Sequence, residues 1–113
     1  MTVSELASDC GFAIVYLADG DRKVNGAYAG DLLSWVMGRA GTDNAFVTIM
    51  TNINVVAVAS LADLSCVIFA ESVEVPAEVL EAAEHKGINL LKSDKPMFET
   101  CAKLFVSGVV CSL

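Results

Sequence analysis

The chain has few of the residues that usually announce a function. Among 113 positions there are one histidine, one tryptophan, two prolines and seven basic residues. The bases, Arg22, Lys23, Arg39, Lys86, Lys92, Lys95 and Lys103, are scattered. They form no stripe that would neutralise phosphates, so neither nucleic acid nor an anionic membrane surface is an expected partner. Fourteen acids against these seven bases give a net charge of −7. The four cysteines, at positions 10, 66, 101 and 111, make no C-x-x-C pair and have no metal-ligand spacing. They read as reduced, buried small hydrophobes, and no metal or cofactor is expected. His85 follows Glu81 by one helical turn and reads as half of a surface pair rather than a catalytic base. With no nucleophile–base pattern elsewhere, no catalytic residue is expected. The first ten residues lack a basic cluster followed by an apolar run, so a cytoplasmic location is expected.

What is abundant is apolar. Hydrophobic residues make up 55% of the chain and charged ones 19%, more apolar surface than a small monomer hides. A homo-oligomer, most simply a homodimer, accounts for the surplus. Residues 1–113 read as a single domain, large enough to bury roughly 65% of its unfolded surface. No charge occurs from Asn44 to Ala62, but Thr48, Thr51, Asn52 and Asn54 interrupt that stretch, so it reads as a strand running into a helix and not as a membrane span. The last ten residues, Leu104 to Leu113, are also uncharged, and this tail is placed either at a subunit interface or over the chain's own core. Glu71, Glu74, Glu78, Glu81 and Glu84 form an acidic run, a solvated face or a dock for a basic partner.

Periodicity sets the elements. Thr2 to Asp9 predicts a helix ended by Gly11, and Phe12 to Leu17, six apolar residues, predicts a strand covered on both faces. Asp19-Gly20-Asp21 is a turn, and Val24 to Ala29 a weaker strand interrupted by Gly26. Asp31 is placed as the cap of a helix reaching about Arg39, with Trp35 directed to the core or to a subunit interface. Phe46 to Met50 is a buried strand. Ile53 to Asp63 mixes β-branched residues with alanines, and the crossover that parallel strands require decides for a helix capped by Asn52 or Asn54. Cys66 to Ala70 is a strand, Pro76 to Lys86 a helix closed by Gly87, Ile88 to Leu91 a strand, and Pro96 to about Val106 a helix. The alternation predicts an α/β fold, three-layer α/β/α with a largely parallel sheet.

In such a fold the junctions between strands and helices hold ligands, because backbone N–H groups at strand ends and helix starts converge there. Gly30, Asp31, Thr48, Thr51, Asn52 and Asn54 are therefore the candidate ligand-binding residues, able to offer a carboxylate, hydroxyls and amides to a small polar molecule. Capping and turn formation is the alternative role for each.

Three segments carry a resemblance. Gly30-Asp31-Leu32-Leu33-Ser34-Trp35-Val36-Met37, Val47-Thr48-Ile49 with Asn54-Val55-Val56-Ala57-Val58-Ala59, and Lys86-Gly87-Ile88-Asn89-Leu90-Leu91 resemble the stand-alone bacterial DRTGG-domain proteins. The match spans nearly the whole chain. That family is similar in fold to the N-terminal domain of HPr kinase/phosphorylase, but this chain has no G-x-x-x-x-G-K-[ST] loop, so the kinase activity does not carry over. The resemblance implies a regulatory or binding module. Where other members have Asp-Arg and Thr-Gly-Gly, this chain has Asn52-Ile53-Asn54 and Phe69-Ala70-Glu71-Ser72. Without the arginine's positive fork, a phosphate ligand is less favoured.

The sequence thus points to a non-catalytic regulatory, ligand-sensing or protein-interaction domain that acts as a homo-oligomer, its protein partner unnamed. The alternatives are a structural subunit of a larger, possibly redox, complex, and an enzyme acting on a small metabolite.

Overall fold

Helix α1 (Val3–Cys10) begins with a reciprocal cap. The Thr2 hydroxyl accepts the Glu5 amide at 3.1 Å while the Glu5 carboxylate accepts the Thr2 amide at 2.9 Å. Gly11, at φ 70°, ends the helix in the left-handed region that glycine enters freely. In the computed structural model, which describes residues 1–109, there follow β1 (Ala13–Tyr16), β2 (Gly26–Ala29), α2 (Leu33–Arg39), β3 (Asn44–Thr48), α3 (Ile53–Leu61), β4 (Cys66–Phe69), α4 (Ala77–Lys86), β5 (Asn89–Lys92) and α5 (Met97–Val106). The proline and glycine punctuation acts as expected. Pro76 and Pro96 stand at the starts of α4 and α5, and Gly87, at φ 70°, ends α4.

The strands form one sheet in the order β1-β5-β4-β3-β2. β2 to β5 are parallel, and β1 runs antiparallel against β5. Each helical crossover steps one strand in the same direction, so right-handed connections place α2, α3 and α4 together on one face. α1 and α5 cover the other. Alternate strand residues divide accordingly. Phe46, Val67, Phe69 and Leu90 pack with Val36, Val55 and Val79 in one core, while Val47, Cys66, Ile68 and Leu91 pack with Leu6 and Leu104 in the second. The expected three-layer α/β/α architecture is thereby observed, with β3 and β4 buried on both faces.

Three expectations need correction. The Phe12–Leu17 run is not covered on both faces. β1 is an edge strand, and Ala13 and Ile14 are exposed, the latter 54%. Gly26 begins β2 rather than interrupting it. Of the two places expected for Trp35, the core of this chain is excluded. The side chain is 52% exposed, with the Arg39 guanidinium 3.8 Å above its ring centre. As for the tail, Leu104 and Val109 pack into the α1/α5 core, and Phe105 and Val106 face outward. The part of that expectation concerning Val110 to Leu113, Cys111 included, lies outside the described residues. Among the described residues no helix is long and apolar enough to cross a membrane.

Candidate functional site

The two ends of the sheet are built differently. At the amino end of the parallel strands, polar side chains lock one another. Arg22 donates to the Asp43 carboxylate from Nε at 3.2 Å and from Nη2 at 3.0 Å, and Nη2 also reaches the Asp63 carboxylate at 2.8 Å and the Asp63 carbonyl at 2.7 Å. Burial works against the Arg22 charge, but its hydrogen bonds to Asp63 and Asp43 outweigh this and raise its pKa. Beside this clamp, the buried Asn89 amide oxygen accepts from the amides of Ala18 and Asp19, both at 2.8 Å, and its nitrogen donates to the carbonyls of Asp19 and Ser65, both at 2.9 Å. The Ser65 hydroxyl reaches the carbonyls of Lys23 and Asp43. Together these bonds tie the β1–β2 connection to the starts of β3, β4 and β5.

At the carboxyl end the polar groups are more open. β2 runs out through Gly30, whose amide bonds the Val47 carbonyl at 3.1 Å. Asp31 then turns its carboxylate across to β3. Its Oδ1 accepts the Thr48 hydroxyl at 2.7 Å and the Ile49 amide at 3.0 Å, and the Thr48 oxygen in turn accepts the Met50 amide at 3.1 Å. Thr48 is fully buried, whereas Asp31 is exposed, and among the described residues nothing hydrogen-bonds to its second oxygen. This corrects the capping expectation. The first turn of α2 starts at Leu32 with no side-chain cap, because the Asp31 carboxylate satisfies a buried hydroxyl and a strand-end amide instead. On the β3–α3 connection, Asn52 caps α3 as expected by accepting the Asn54 amide at 3.0 Å.

The structure therefore brings Gly30, Asp31 and Thr48 into one hydrogen-bonded unit and sets Thr51, Asn52 and Asn54 on the β3–α3 connection that follows. Asp31, Asn52 and Asn54 stand at the surface, with Gly30 and Thr51 half-buried and Thr48 buried behind Asp31. Leu32, Ile49 and Ile53, on the same two connections, are 55%, 43% and 50% exposed. A cavity of about 360 Å³ lies at the same end of the sheet, lined by Gly11, Ala13, Ser72, Lys92 and Asp94.

The strap beside that cavity was not anticipated. Glu71 and Ser72 follow β4 with φ of 66° and 54°, and their amides bond the carbonyls of Lys95 at 2.9 Å and Ser93 at 3.0 Å. They occupy the place where the resemblance would put consecutive glycines, and their backbone holds the shape glycine favours. That departure from the glycine pattern was the available signal. The Ser93 hydroxyl, buried against that of Thr100 at 2.8 Å, anchors the other side of the strap.

The thiols of Cys66 and Cys101 are poor nucleophiles here. Burial pushes Cys66 up to about 12, with the Arg22 charge opposing only slightly, and burial also raises half-buried Cys101. His85 is exposed near the end of α4, and no hydroxyl or thiol among the described residues hydrogen-bonds to it.

These features define a three-layer α/β/α domain whose open polar surface lies at the carboxyl end of a parallel sheet. Among solved structures, the fold is similar to the CBS and DRTGG domains of the regulatory region of a pyrophosphatase from Clostridium perfringens, complexed with its activator, diadenosine tetraphosphate. The TM-score is 0.73 at 9% sequence identity, over 98% of this chain and 50% of the other. The chain thus spans about half the length of that structure, and at this identity the likeness is one of fold. The sequence matches no protein-family profile and no curated protein.

Proposed function

We propose that this chain is a non-catalytic regulatory domain of the DRTGG type, which acts as a homo-oligomer and senses a small polar ligand or a protein partner at the carboxyl end of its sheet. The observation that carries this reading is Asp31. Its Oδ1 is tied to buried Thr48, so the carboxylate of this exposed residue is held in place, its second oxygen makes no hydrogen bond among the described residues, and exposed Leu32, Ile49 and Ile53 lie on the same two connections. A fixed acceptor in apolar surroundings suits a group that donates hydrogen bonds, such as an amine, a hydroxyl or the amino edge of a purine. The fold of a nucleotide-activated regulatory region supports a sensing role. Lys92 and Lys95, at the end of β5 and just beyond it, are the cations at this end of the sheet that a phosphate would seek.

Thermal unfolding against nucleotides, dinucleoside polyphosphates and central metabolites tests the reading. A ligand at 100 times its Kd adds about 2.7 kcal/mol, on the order of 10 °C in midpoint for a domain this size. The expected result is a hit in wild type that Asp31→Ala abolishes. A panel that leaves the wild-type midpoint unmoved overturns the small-ligand form of the reading.

A further inference from the structure

The chain leaves β2, β3 and β4 toward one face of the sheet, into α2, α3 and α4, and leaves β5 toward the other face, into α5. The change of direction falls between β4 and β5, which are parallel neighbours. An open α/β sheet has its ligand crevice at such a point, because the segments leaving two adjacent strand ends part to opposite faces. A cavity of about 360 Å³ lies here. It is lined by Ser72 from the β4 exit, by Lys92 and Asp94 from the β5 exit, and by Gly11 and Ala13 where the antiparallel edge strand begins. The Asp31–Thr48 pair stands elsewhere, since β5 is two strands beyond β3, about 10 Å across the sheet.

The backbone around the cavity is fixed. Lys92 is in register with Phe69 on one side and with Ala13 on the other. The Ser72 amide bonds the Ser93 carbonyl at 3.0 Å, which holds Ser72 at φ 54°. The buried Ser93 hydroxyl lies 2.8 Å from that of Thr100 and accepts the Lys95 amide at 3.1 Å, so the turn that carries Asp94 is anchored on both sides. The charged groups, by contrast, are uncommitted. Lys92 is half-buried and Asp94 exposed, and the ion pairs among the described residues are both made by Arg22.

We propose that this cavity binds a small zwitterion, of which a free α-amino acid is the simplest. Lys92 takes the carboxylate, with the Ser72 hydroxyl as a second donor, and Asp94 takes the ammonium. A cation and an anion that line one cavity without pairing leave both charges to a ligand, and charge-assisted hydrogen bonds are the strong ones. A phosphate drawn to Lys92 would lie beside the Asp94 carboxylate, and a simple amine drawn to Asp94 would lie beside the Lys92 ammonium. A zwitterion meets both groups with the favourable sign. It also brings no net charge to a chain that carries −7, and so escapes the general repulsion an anion meets. The volume is at the small end of ligand sites, which suits an amino acid and not a dinucleotide. This site goes beyond the Asp31 reading and does not depend on it.

Isothermal titration of the whole chain with each L-α-amino acid in turn tests the assignment. At least one is expected to bind, and its amide and its N-acetyl derivative, which each lack one of the two charges, are expected to bind about tenfold or more weakly. Lys92→Met, which keeps the apolar stem, and Asp94→Asn are each expected to raise the Kd about tenfold or more with the circular dichroism spectrum unchanged, whereas Asp31→Ala leaves it within about twofold. A wild type that takes up no amino acid at millimolar concentration overturns the site, whatever the Asp31 ligand panel gives. Binding of inorganic phosphate that no amino acid reproduces overturns the zwitterion. An amino acid whose binding Asp31→Ala abolishes, while Lys92→Met and Asp94→Asn spare it, sits at the Asp31 surface, which upholds that reading and overturns this one.

Discussion

The Asp31 carboxylate accepts the Thr48 hydroxyl at 2.7 Å, joining the end of one parallel strand to the end of the next across 17 positions of chain. Thr48 is fully buried and its oxygen also accepts the Met50 amide, so the pair both closes the strand ends and fixes the carboxylate. Thr48→Val keeps the shape and removes the hydroxyl, leaving Asp31 and the Met50 amide each short of a partner. The expected loss is about 1–3 kcal/mol by urea unfolding. Asp31→Asn retains an acceptor and is expected to cost less than about 1 kcal/mol, so it separates ligand recognition from stability. An Asp31→Ala/Thr48→Val double-mutant cycle is expected to show a coupling of at least about 0.5 kcal/mol. Strict additivity would mean that the two side chains act independently.

Asn89 is expected to be the most sensitive polar position. Its amide makes four hydrogen bonds, to Ala18 and Asp19 amides and to Asp19 and Ser65 carbonyls, which uses its full capacity of two acceptor sites and two donors. Asn89→Ala leaves four backbone groups without their partner, the Ser65 carbonyl at a buried site and those of Ala18 and Asp19 at a part-buried one. A loss of about 3 kcal/mol or more is expected, or a fall of more than about 10 °C in unfolding midpoint. A fall of a degree or two would show that the amino-end network does not hold the β1–β2 connection.

Much of the architecture was legible because it rests on local rules. Pro76 and Gly87 bracket α4, Asn52 opens α3, and the alternation of apolar runs with helical periods leads to a parallel sheet between helical layers. What escaped depends on the neighbours a segment acquires. Phe12 to Leu17 has the composition of a central strand, and only the sheet order makes it an edge. Asp31 is equally suited to cap a helix or to reach a distant hydroxyl, and Thr48, the partner that decides, is remote in sequence. Asn89 sits in an apolar run with nothing local to mark the loop it gathers, and Arg22 reads as one of seven scattered bases until Asp43 and Asp63 come beside it. That Gly30, Asp31, Thr48, Thr51, Asn52 and Asn54 would fall together at the carboxyl end of the sheet was legible, but the Glu71–Ser72 strap was not.

The Thr2–Glu5 cap gives the acid limb of stability a specific contributor. Hydrogen bonds from the Thr2 backbone and side chain hold the Glu5 carboxyl below its ordinary range. A carboxyl depressed in the folded state stabilises the fold above its unfolded value, and that contribution disappears as pH falls through the folded value. Wild type is therefore expected to lose stability on acidification more steeply than Glu5→Gln, with the two curves converging at low pH. Urea unfolding at a series of pH values reads this directly. Parallel curves for the two proteins would show that the cap does not hold its charge in solution.

Cys66 provides the matching test at alkaline pH. The thiol lies on β4, completely buried, and burial pushes it up to about 12 from an ordinary 9.0. The unfolded chain therefore gives up this proton at a lower pH than the native chain does, so the native state binds more protons across that window. Its contribution is full below pH 9.0 and is lost as pH rises toward 12. Cys66→Ala is expected to start from lower stability, because a buried side chain is shortened, and to show a shallower decline over that range. The same burial governs reactivity, since the thiolate is the species that alkylates. With iodoacetamide at mildly alkaline pH, followed by peptide mass spectrometry, half-buried Cys101 is expected to react slowly in the native protein, and Cys66 only once denaturant opens the sheet. Modification of native Cys66 at the rate of a free thiol would mean that β4 is not sealed between the two helical layers, and the three-layer arrangement around it would have to be redrawn.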